Sequence, residues 1–212
     1  MIYQGIELLW TGHSGVFICD RAKIYIDPYK IPLGSEKADI IFITHSHYDH
    51  CSIEDLQKII KSETVLVISS DCQSKINKIE TKVRTILVEP GSEGEIFGVK
   101  FKVVPAYNVN KVFHDKSEYW NGYVLEIDGT KIYHAGDTDF IPEMMSLTDI
   151  DIAFLPVSGT YAMNADEAAR AVFMIKPKIS VPIHFGDVVG TREDAERFID
   201  LCNSEGFEAK II

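Results

Sequence analysis

The chain has few basic residues for its length. It carries 21 lysines and arginines against 32 aspartates and glutamates, which gives a formal net charge of −11. Binding to nucleic acids and anionic membranes is driven largely by lysine and arginine, so this balance argues against a broad surface for either. A small anionic substrate is still allowed, since a bound metal reverses the local charge. We therefore expect a small-molecule substrate, no membrane and no nucleic-acid partner.

The features that mark redox-active, membrane or secreted proteins are also scarce. The cysteines form no C-x-x-C pair, which argues against a redox motif or a zinc knuckle; they are Cys19, Cys51, Cys72 and Cys202. No run of about 18 apolar residues predicts a membrane-spanning helix. The N-terminal MIYQGIELLW lacks a basic segment followed by an apolar one, so no signal peptide is predicted. We expect a cytoplasmic protein with buried, reduced thiols.

Apolar residues, by contrast, are plentiful. They make up 46% of the 212 residues, enough for the core of one domain over residues 1–212. Short apolar runs predict strands at 6–10, 16–19, 23–26, 40–44, 64–68, 85–88, 94–97, 99–104, 119–127, 131–134, 150–155, 179–183 and 208–212. Helices are predicted after Ser52, over 71–77, after Asn164 and over 193–203. The pattern predicts two β-rich halves that face each other, with helices outside and polar loops at one edge.

The stretch from residue 40 to residue 51 carries the strongest functional signal. Its opening IIFI is a continuous apolar run, typical of a strand buried on both faces. Directly after Thr44 come four potential metal ligands within six positions: His45, His47, Asp49 and His50. Three imidazoles and a carboxylate at one strand end suit zinc or a similar metal. A solvated loop that is merely rich in histidine is the less favoured interpretation.

Other predicted strand ends carry further candidate ligands. Asp137 follows the strand at 131–134, His184 follows the strand at 179–183, and Tyr107-Asn108 follows the strand at 99–104. A single histidine at a strand end is more often an ordinary hydrogen-bonding residue. In combination with the first cluster, however, these positions predict one site at the rim of the sheets.

These residues resemble the metallo-β-lactamase superfamily. The resemblance is carried by His45-x-His47-x-Asp49-His50, Gly136-Asp137 and Pro182-Ile183-His184. Three further segments, Gly12-His13-Ser14, Tyr133–Thr138 and Pro156–Tyr161, resemble its ascorbate-6-phosphate lactonase-like branch of hydrolases. The resemblance covers most of the chain. It implies an α/β fold, a four-layer αβ/βα sandwich, with one or two divalent metals at its open edge.

The resemblance also implies a ligand set. His45 and His47 would bind the first metal, Asp49 and His50 the second, Asp137 would bridge the two, and His184 would complete the second site. Zinc is the expected metal, with manganese, nickel and iron as alternatives. A metal lowers the pKa of bound water from about 15.7 to about 7, so a metal-bound hydroxide can attack a carbonyl or phosphoryl centre near neutral pH.

One position departs from the family pattern. The superfamily supplies a further histidine to the first metal after a central strand, and the corresponding residue here is Asn108. An amide oxygen is a poorer zinc ligand than an imidazole. Three outcomes are open: His114 reaches in from the same loop, Asn108 binds weakly, or the first site is vacant or holds a different metal. We favour His114 or a weakened first site.

Four further residues near these motifs are candidates for the site. His13, matched in the family branch, is expected near the site, and we count it with Asp49 as catalytic, in substrate binding or proton transfer. His134 is either bonded to a ligand carboxylate or an ordinary strand residue. Thr160 and Tyr161 either donate hydrogen bonds to a substrate or only pack.

The function expected from these features is metal-dependent hydrolysis of a small lactone, another ester or a phosphodiester, with a lactone favoured by the branch resemblance. A non-catalytic metal- or ligand-binding member of the fold is one alternative, and a phosphodiesterase or nuclease-type member is another. The nuclease is disfavoured by the acidic charge. A di-iron oxygen- or nitric-oxide-reducing member would carry Glu where this chain has His47. A homo-oligomer is left open by the sequence.

Overall fold

The computed structural model describes residues 1–212, which form two β-sheets packed face to face. The first sheet has seven strands in chain order: Ile2–Tyr3 (β1), Ile6–Gly12 (β2), Gly15–Cys19 (β3), Lys23–Ile26 (β4), Ile40–Ile43 (β5), Val65–Ile68 (β6) and Arg84–Leu87 (β7). The second sheet has six: Glu93–Ile96 (β8), Val99–Pro105 (β9), Asn121–Ile127 (β10), Thr130–His134 (β11), Ile152–Pro156 (β12) and Ile179–Ile183 (β13). Their spatial order is β13-β12-β11-β10-β9-β8, so each half of the chain forms one sheet.

Helices cover the outer faces of the two sheets. They are Ile53–Ile59 (α1), Gln73–Ile76 (α2), Ala165–Ile175 (α3) and Arg192–Ser204 (α4). One apolar cluster fills the space between the sheets, a second lies between the second sheet and α3 and α4, and a third lies between the first sheet and α1 and α2. The order helix, sheet, sheet, helix is the four-layer αβ/βα sandwich that the resemblance implied. None of the helices has the length and apolar character that crossing a membrane requires.

Strand β5 shows why its sequence is continuously apolar. Ile40 and Phe42 point into the core between the sheets, whereas Ile41 and Ile43 point toward α1. All four side chains are fully buried, because a parallel strand in the middle of a covered sheet has no solvent face. The buried strand predicted at 40–44 is confirmed.

The strand directions bring several loops to one edge of the molecule. β4, β5, β6 and β7 run parallel to one another, as do β11, β12 and β13. β9 is antiparallel to β10, which is antiparallel to β11, so β9 and β11 share a direction. The loops that follow β4, β5, β9, β11, β12 and β13 therefore leave the sheets at carboxyl ends, where sites form in open α/β folds.

Two details at the chain ends differ from the predictions. The prediction of a strand at 208–212 is wrong. Only Ala209 pairs with β13, in an isolated bridge to Ser180, because Ser180 is the one residue of β13 that forms backbone hydrogen bonds with this segment. At the other end, β1 was missed because it is only two residues long. It pairs with β2 through a turn at Gln4-Gly5, whose φ angles of 49° and 89° are those of a tight hairpin.

Candidate metal centre

The predicted ligands come together in one His/Asp cluster at the carboxyl edge of the sheets. The cluster has three overlapping groups, and within each the ligand atoms lie no more than 4.8 Å apart. The groups are His45, His47 and His114 (the three-histidine group), His13, Asp49, His50 and His184 (the Asp49 group), and His45, His50 and Asp137 between them. All seven predicted metal ligands are included, and so is His13.

The turn after β5 places half of this cluster. The backbone N–H groups of His50 and Cys51 both donate to the carbonyl of His47, at 3.1 and 2.8 Å. This tight turn points histidines to both sides of the strand end. Gly136 supports the facing loop after β11: its φ is +64°, and a Cβ there would lie 2.7 Å from the carbonyl oxygen of Asn121. Glycine thus lets Asp137 approach β5 closely.

His114, which lies in the loop after β9, completes the three-histidine group. Its ring centroid is 5.5 Å from that of His45 and 5.3 Å from that of His47. Trp120 packs against all three imidazoles, with centroid distances of 4.4 to 4.9 Å. His45 and His114 are buried, whereas His47 is exposed and opens the group to solvent.

Asn108 supports the loop that carries His114. Its backbone N–H donates to the carbonyl of His114 at 2.7 Å, and its side-chain amide donates to the carbonyl of Tyr161 at 2.9 Å. These bonds hold the loop in the shape that turns His114 inward. Of the three outcomes left open by the sequence, the geometry favours the first, in which His114 reaches in from the same loop.

The two cluster carboxylates each face several imidazoles. Asp137 Oδ2 lies 3.1 Å from His184 Nε2, 3.3 Å from His50 Nε2 and 3.9 Å from His45 Nε2. Asp49 Oδ2 lies 2.9 Å from His13 Nε2, 3.5 Å from His50 Nε2 and 3.9 Å from His184 Nε2. Asp137 therefore stands between the two groups, whereas Asp49 belongs to one.

Polar contacts behind the cluster fix the orientation of the rings. His50 Nδ1 lies 2.7 Å from the buried Asp27 carboxylate, and His184 Nδ1 lies 2.9 Å from the Ser158 hydroxyl. The Thr44 hydroxyl donates to Asp27 at 2.6 Å, so it accepts from His45 Nδ1 at 2.9 Å. With a proton held at Nδ1, the neutral His45 presents a bare Nε2 atom to the centre, which is the form a metal binds. Although burial opposes it, Asp137 and Asp27 raise the pKa of His50 well above its usual value, so a metal bound at His50 Nε2 would displace a proton.

Buried atoms without a hydrogen-bond partner test whether the cluster suits a metal. They include the Nε2 atoms of four cluster histidines and one oxygen of the central carboxylate: His45, His50, His114, His184 and Asp137 Oδ1. His50 Nε2 and His184 Nε2 lie 3.3 and 3.1 Å from Asp137 Oδ2, but neither contact has hydrogen-bonding geometry. A buried polar atom without a partner costs about 1–3 kcal/mol, so five at one point need a common explanation. A divalent metal satisfies imidazole nitrogens and carboxylate oxygens together, and the donor set fits one.

Charges within the cluster also suit a cation. Burial lowers the pKa of His45 and His114, and partial desolvation on its cluster side lowers that of His47, which keeps these imidazoles neutral at pH 7. Burial alone would raise the pKa of Asp137, but His184 and His50 hold it well below its usual range. Burial opposes ionisation of Asp49 as well, yet the hydrogen bond from His13 lowers its pKa to about 2. Neutral imidazoles and ionised carboxylates are the forms that bind metals.

Two histidines hold backbone conformations that are rare outside glycine. His13 and His184 have φ angles of +49° and +59°, and the N–H of His184 donates to the carbonyl of His13 at 2.8 Å. Trp10 Nε1 donates to the same carbonyl at 2.8 Å. The two rings lie 4.2 Å apart, so this strained pairing brings the turn between β2 and β3 into the site.

The structure bears on the two interpretations that the sequence left open for His134, Thr160 and Tyr161. His134 is not bonded to a ligand carboxylate: it donates to the carbonyl of Ser14 at 2.9 Å and accepts from the N–H of Gly136 at 3.2 Å. It thereby links the His13 turn to the Asp137 loop. Thr160 is exposed, whereas the half-buried Tyr161 stacks 6.2 Å from His114.

The supporting residues Asp27, Thr44, Ser158 and Trp120 were missed as parts of the site. Only Asp27 left a signal: an aspartate before Pro28 ends the strand next to β5. Thr44 and Ser158 lie in segments that the sequence singled out, but no residue pattern shows which imidazole each one contacts, and nothing in the sequence marked Trp120.

Comparison with known proteins places this geometry in a family. Residues 7–184 match the model of the β-lactamase superfamily domain. A UPF0173 metal-dependent hydrolase of Thermoplasma acidophilum is 33% identical, covering 96% of this chain and 93% of that protein. The crystal structure of a metal-dependent hydrolase from Parabacteroides distasonis has a TM-score of 0.86 and 34% identity, covering 97% of this chain and 92% of that one.

A more distant structure shares the fold. A zinc-dependent hydrolase of the metallo-β-lactamase superfamily from Thermotoga maritima has a TM-score of 0.62 and 21% identity, covering 92% of this chain and 85% of that one. With the two sheets, the buried His/Asp cluster and the near full-length matches together, the chain belongs to the UPF0173 metal-dependent hydrolase family of the metallo-β-lactamase superfamily.

Proposed function

We propose that this hydrolase cleaves a small lactone or another ester with one or two divalent metals, zinc foremost. The observation that supports this most directly is the set of buried, inward-facing imidazole nitrogens that lack a partner around Asp137. Bound metals would supply a nucleophile at neutral pH and stabilise negative charge that develops on the substrate oxygen.

We assign the ligands by group. The three-histidine group would hold the first metal, and Asp49, His50 and His184 the second, with Asp137 contacting both. Imidazole and carboxylate donors suit zinc, and the Thermotoga maritima relative is described as zinc-dependent. Manganese, nickel and iron accept the same donors and are the alternatives.

His13 has a separate part in this proposal. It donates from Nε2 to Asp49 Oδ2 at 2.9 Å, and thereby turns that carboxylate toward His50 and His184. Because Nε2 carries the donated proton, His13 holds Asp49 in its ionised form, which is the form that binds a metal. Trp120 covers the rear of the three-histidine group and keeps water from that side.

Metal analysis combined with a hydrolysis screen tests the proposal. Protein reconstituted with zinc should bind one to two equivalents and hydrolyse members of a panel of lactones, esters, thioesters and phosphodiesters. Bound metal with no turnover on any of them would instead support the non-catalytic alternative. A preference for phosphodiesters would point to the phosphodiesterase alternative.

A pair of variants in one loop tests the ligand assignment. His114→Ala should lose one metal equivalent, because the three-histidine group would keep only two ligands. Ser117→Ala is the matched control: it removes an exposed hydroxyl that is bonded to Asp115 in the same loop but no ligand, so metal content should stay the same. Retention of two tight equivalents in His114→Ala would contradict the assignment.

A further inference from the structure

Two aromatic pairs stand at opposite ends of the His/Asp cluster. At the Asp49 end, Tyr29 packs edge-on against His13 with a centroid distance of 6.0 Å. Tyr48 lies 6.0 Å from Tyr29 and is 60% exposed. Because Tyr48 sits between His47 and Asp49 in the ligand turn, its ring lies at the open side of the cluster.

The second pair lies at the end of the three-histidine group. Tyr161 stacks 6.2 Å from His114, and Phe113 packs against Tyr161 at 4.9 Å. Phe113 is 50% exposed, and the same loop also exposes Val109 and Val112. Several large apolar side chains exposed together in one loop beside a site indicate a binding surface rather than chance.

Positive charge around this rim is already paired. Lys30 forms an ion pair with Asp187 at 2.6 Å, and Lys111 forms one with the buried Asp139. Lys75 donates to the carbonyl of Ser46 in the ligand turn. Recognition of a substrate phosphate relies on arginine or lysine that is free to contact it, and these three lysines have partners within the chain.

We infer that the site accepts a neutral ester or lactone that carries an alkyl or aromatic group, and that it discriminates against phosphorylated substrates. This inference rests on the proposed hydrolase function and names its substrate class. The apolar group would lie against the Phe113–Tyr161 pair, beside the exposed Val109 and Val112, while the ester reaches the cluster. Tyrosine and phenylalanine offer rigid apolar faces for this purpose at little cost in conformational entropy.

A series of substrates with the same reacting bond and different remote groups tests the inference. We would measure kcat/KM of the zinc-loaded protein on esters from acetyl to octanoyl, and on one lactone bearing either an alkyl chain or a phosphate at the same remote position. We expect kcat/KM to rise about twofold to fourfold per added methylene until the rings are covered. A flat series, or a preference for the phosphorylated lactone, would overturn the inference and leave the hydrolase function standing.

Matched variants locate the effect. Phe113→Ala should flatten the dependence on chain length while metal content stays unchanged. Phe97→Ala is the control, because Phe97 is 58% exposed at the turn between β8 and β9, at the amino end of β9 and away from the cluster. If Phe113→Ala changed the oligomeric state in light scattering and left the chain-length dependence intact, the aromatic surface would be a subunit contact and the inference would be wrong.

A binding measurement separates this inference from the proposed function. Hexanoate and acetate share a carboxylate and differ only in apolar length, so calorimetry of both against the zinc-loaded protein needs no turnover. We expect hexanoate to bind more tightly in the wild type and to lose that advantage in Phe113→Ala. If hexanoate bound more tightly but no ester were hydrolysed, the proposed hydrolase function would be wrong and the apolar site would stand. Equal binding of the two acids would contradict the apolar site.

Discussion

The two groups of the cluster differ in exposure, charge and support. The three-histidine group contains only neutral ligands, and His47 opens it to solvent. The Asp49 group is buried, carries a carboxylate and rests on Asp27 and Ser158. Since carboxylates lower the net positive charge of a metal site and outer contacts fix its ligands, we expect the Asp49 group to hold its metal more tightly. Substituting first the residue that both groups share, and then the residues that support one group, tests this difference in metal affinity.

The largest effect should come from the residue that both groups share. Asp137→Asn keeps the size of the side chain but removes the central charge that faces His45, His50 and His184. We expect both metals to weaken by more than about 100-fold, beyond the roughly 10–100-fold loss typical of outer contacts. Metal content after dialysis against a defined free-zinc buffer measures this.

A buried carboxylate at the opposite edge supplies the control. Asp151→Asn changes a side chain bonded to Tyr3 and Lys131, remote from the cluster, and should leave metal content unchanged. If Asp137→Asn lost metal from one group only, Asp137 would belong to that group and would not join the two.

The next effect should be confined to the Asp49 group. Asp27→Asn retains an acceptor and tolerates the φ of +45° at this position, but it removes the charge behind His50 Nδ1. We expect a loss of about 10–100-fold in affinity for one metal equivalent, with the other little changed. Asp55→Asn, which alters a buried carboxylate bonded to the N–H groups of Lys30 and Ile31, is the matched control for stability. Equal weakening of both equivalents would contradict a separate support.

Stepwise removal of metal should show the difference without mutation. With a chelator in increasing concentration, the exposed three-histidine group should release its metal first, with an affinity lower by about tenfold. Histidine NMR signals can assign the order, because His47 and His114 should change before His184 does. Release from His184 first, or in one step from both groups, would remove the proposed ranking.

The sequence predicts the candidate ligands better than the residues that support them. The spacing from His45 to His50 follows from a strand that ends in a tight turn, so pattern alone brings these residues together. His114 could be named only as one of several outcomes, since its inward direction depends on Asn108 bonding to Tyr161 across a loop without regular structure. No residue period encodes such a contact between segments distant in the chain.

The fold shows the same division. Buried parallel strands such as β5 and β13 carry uninterrupted apolar runs and were predicted almost to the residue. The edge segments were not: β1 is too short to show alternation, and residues 208–212 look like a strand although only Ala209 pairs. Whether a segment at the edge of a sheet pairs depends on which strand lies next to it in space, and a local sequence pattern does not contain that information.

The smallest effect should reveal a link between the two groups. The Thr44 hydroxyl touches Asp27 behind the Asp49 group and His45 Nδ1 in the three-histidine group. Thr44→Val keeps the buried shape but removes this shared contact, so both metals should weaken by roughly tenfold or less. Ser158→Ala, which removes the contact to His184 alone, should affect only the Asp49 group. If Thr44→Val left the affinity of the metal at His45 unchanged, Asp137 would be the only link between the two groups. Their two metal affinities would then depend on separate supporting residues.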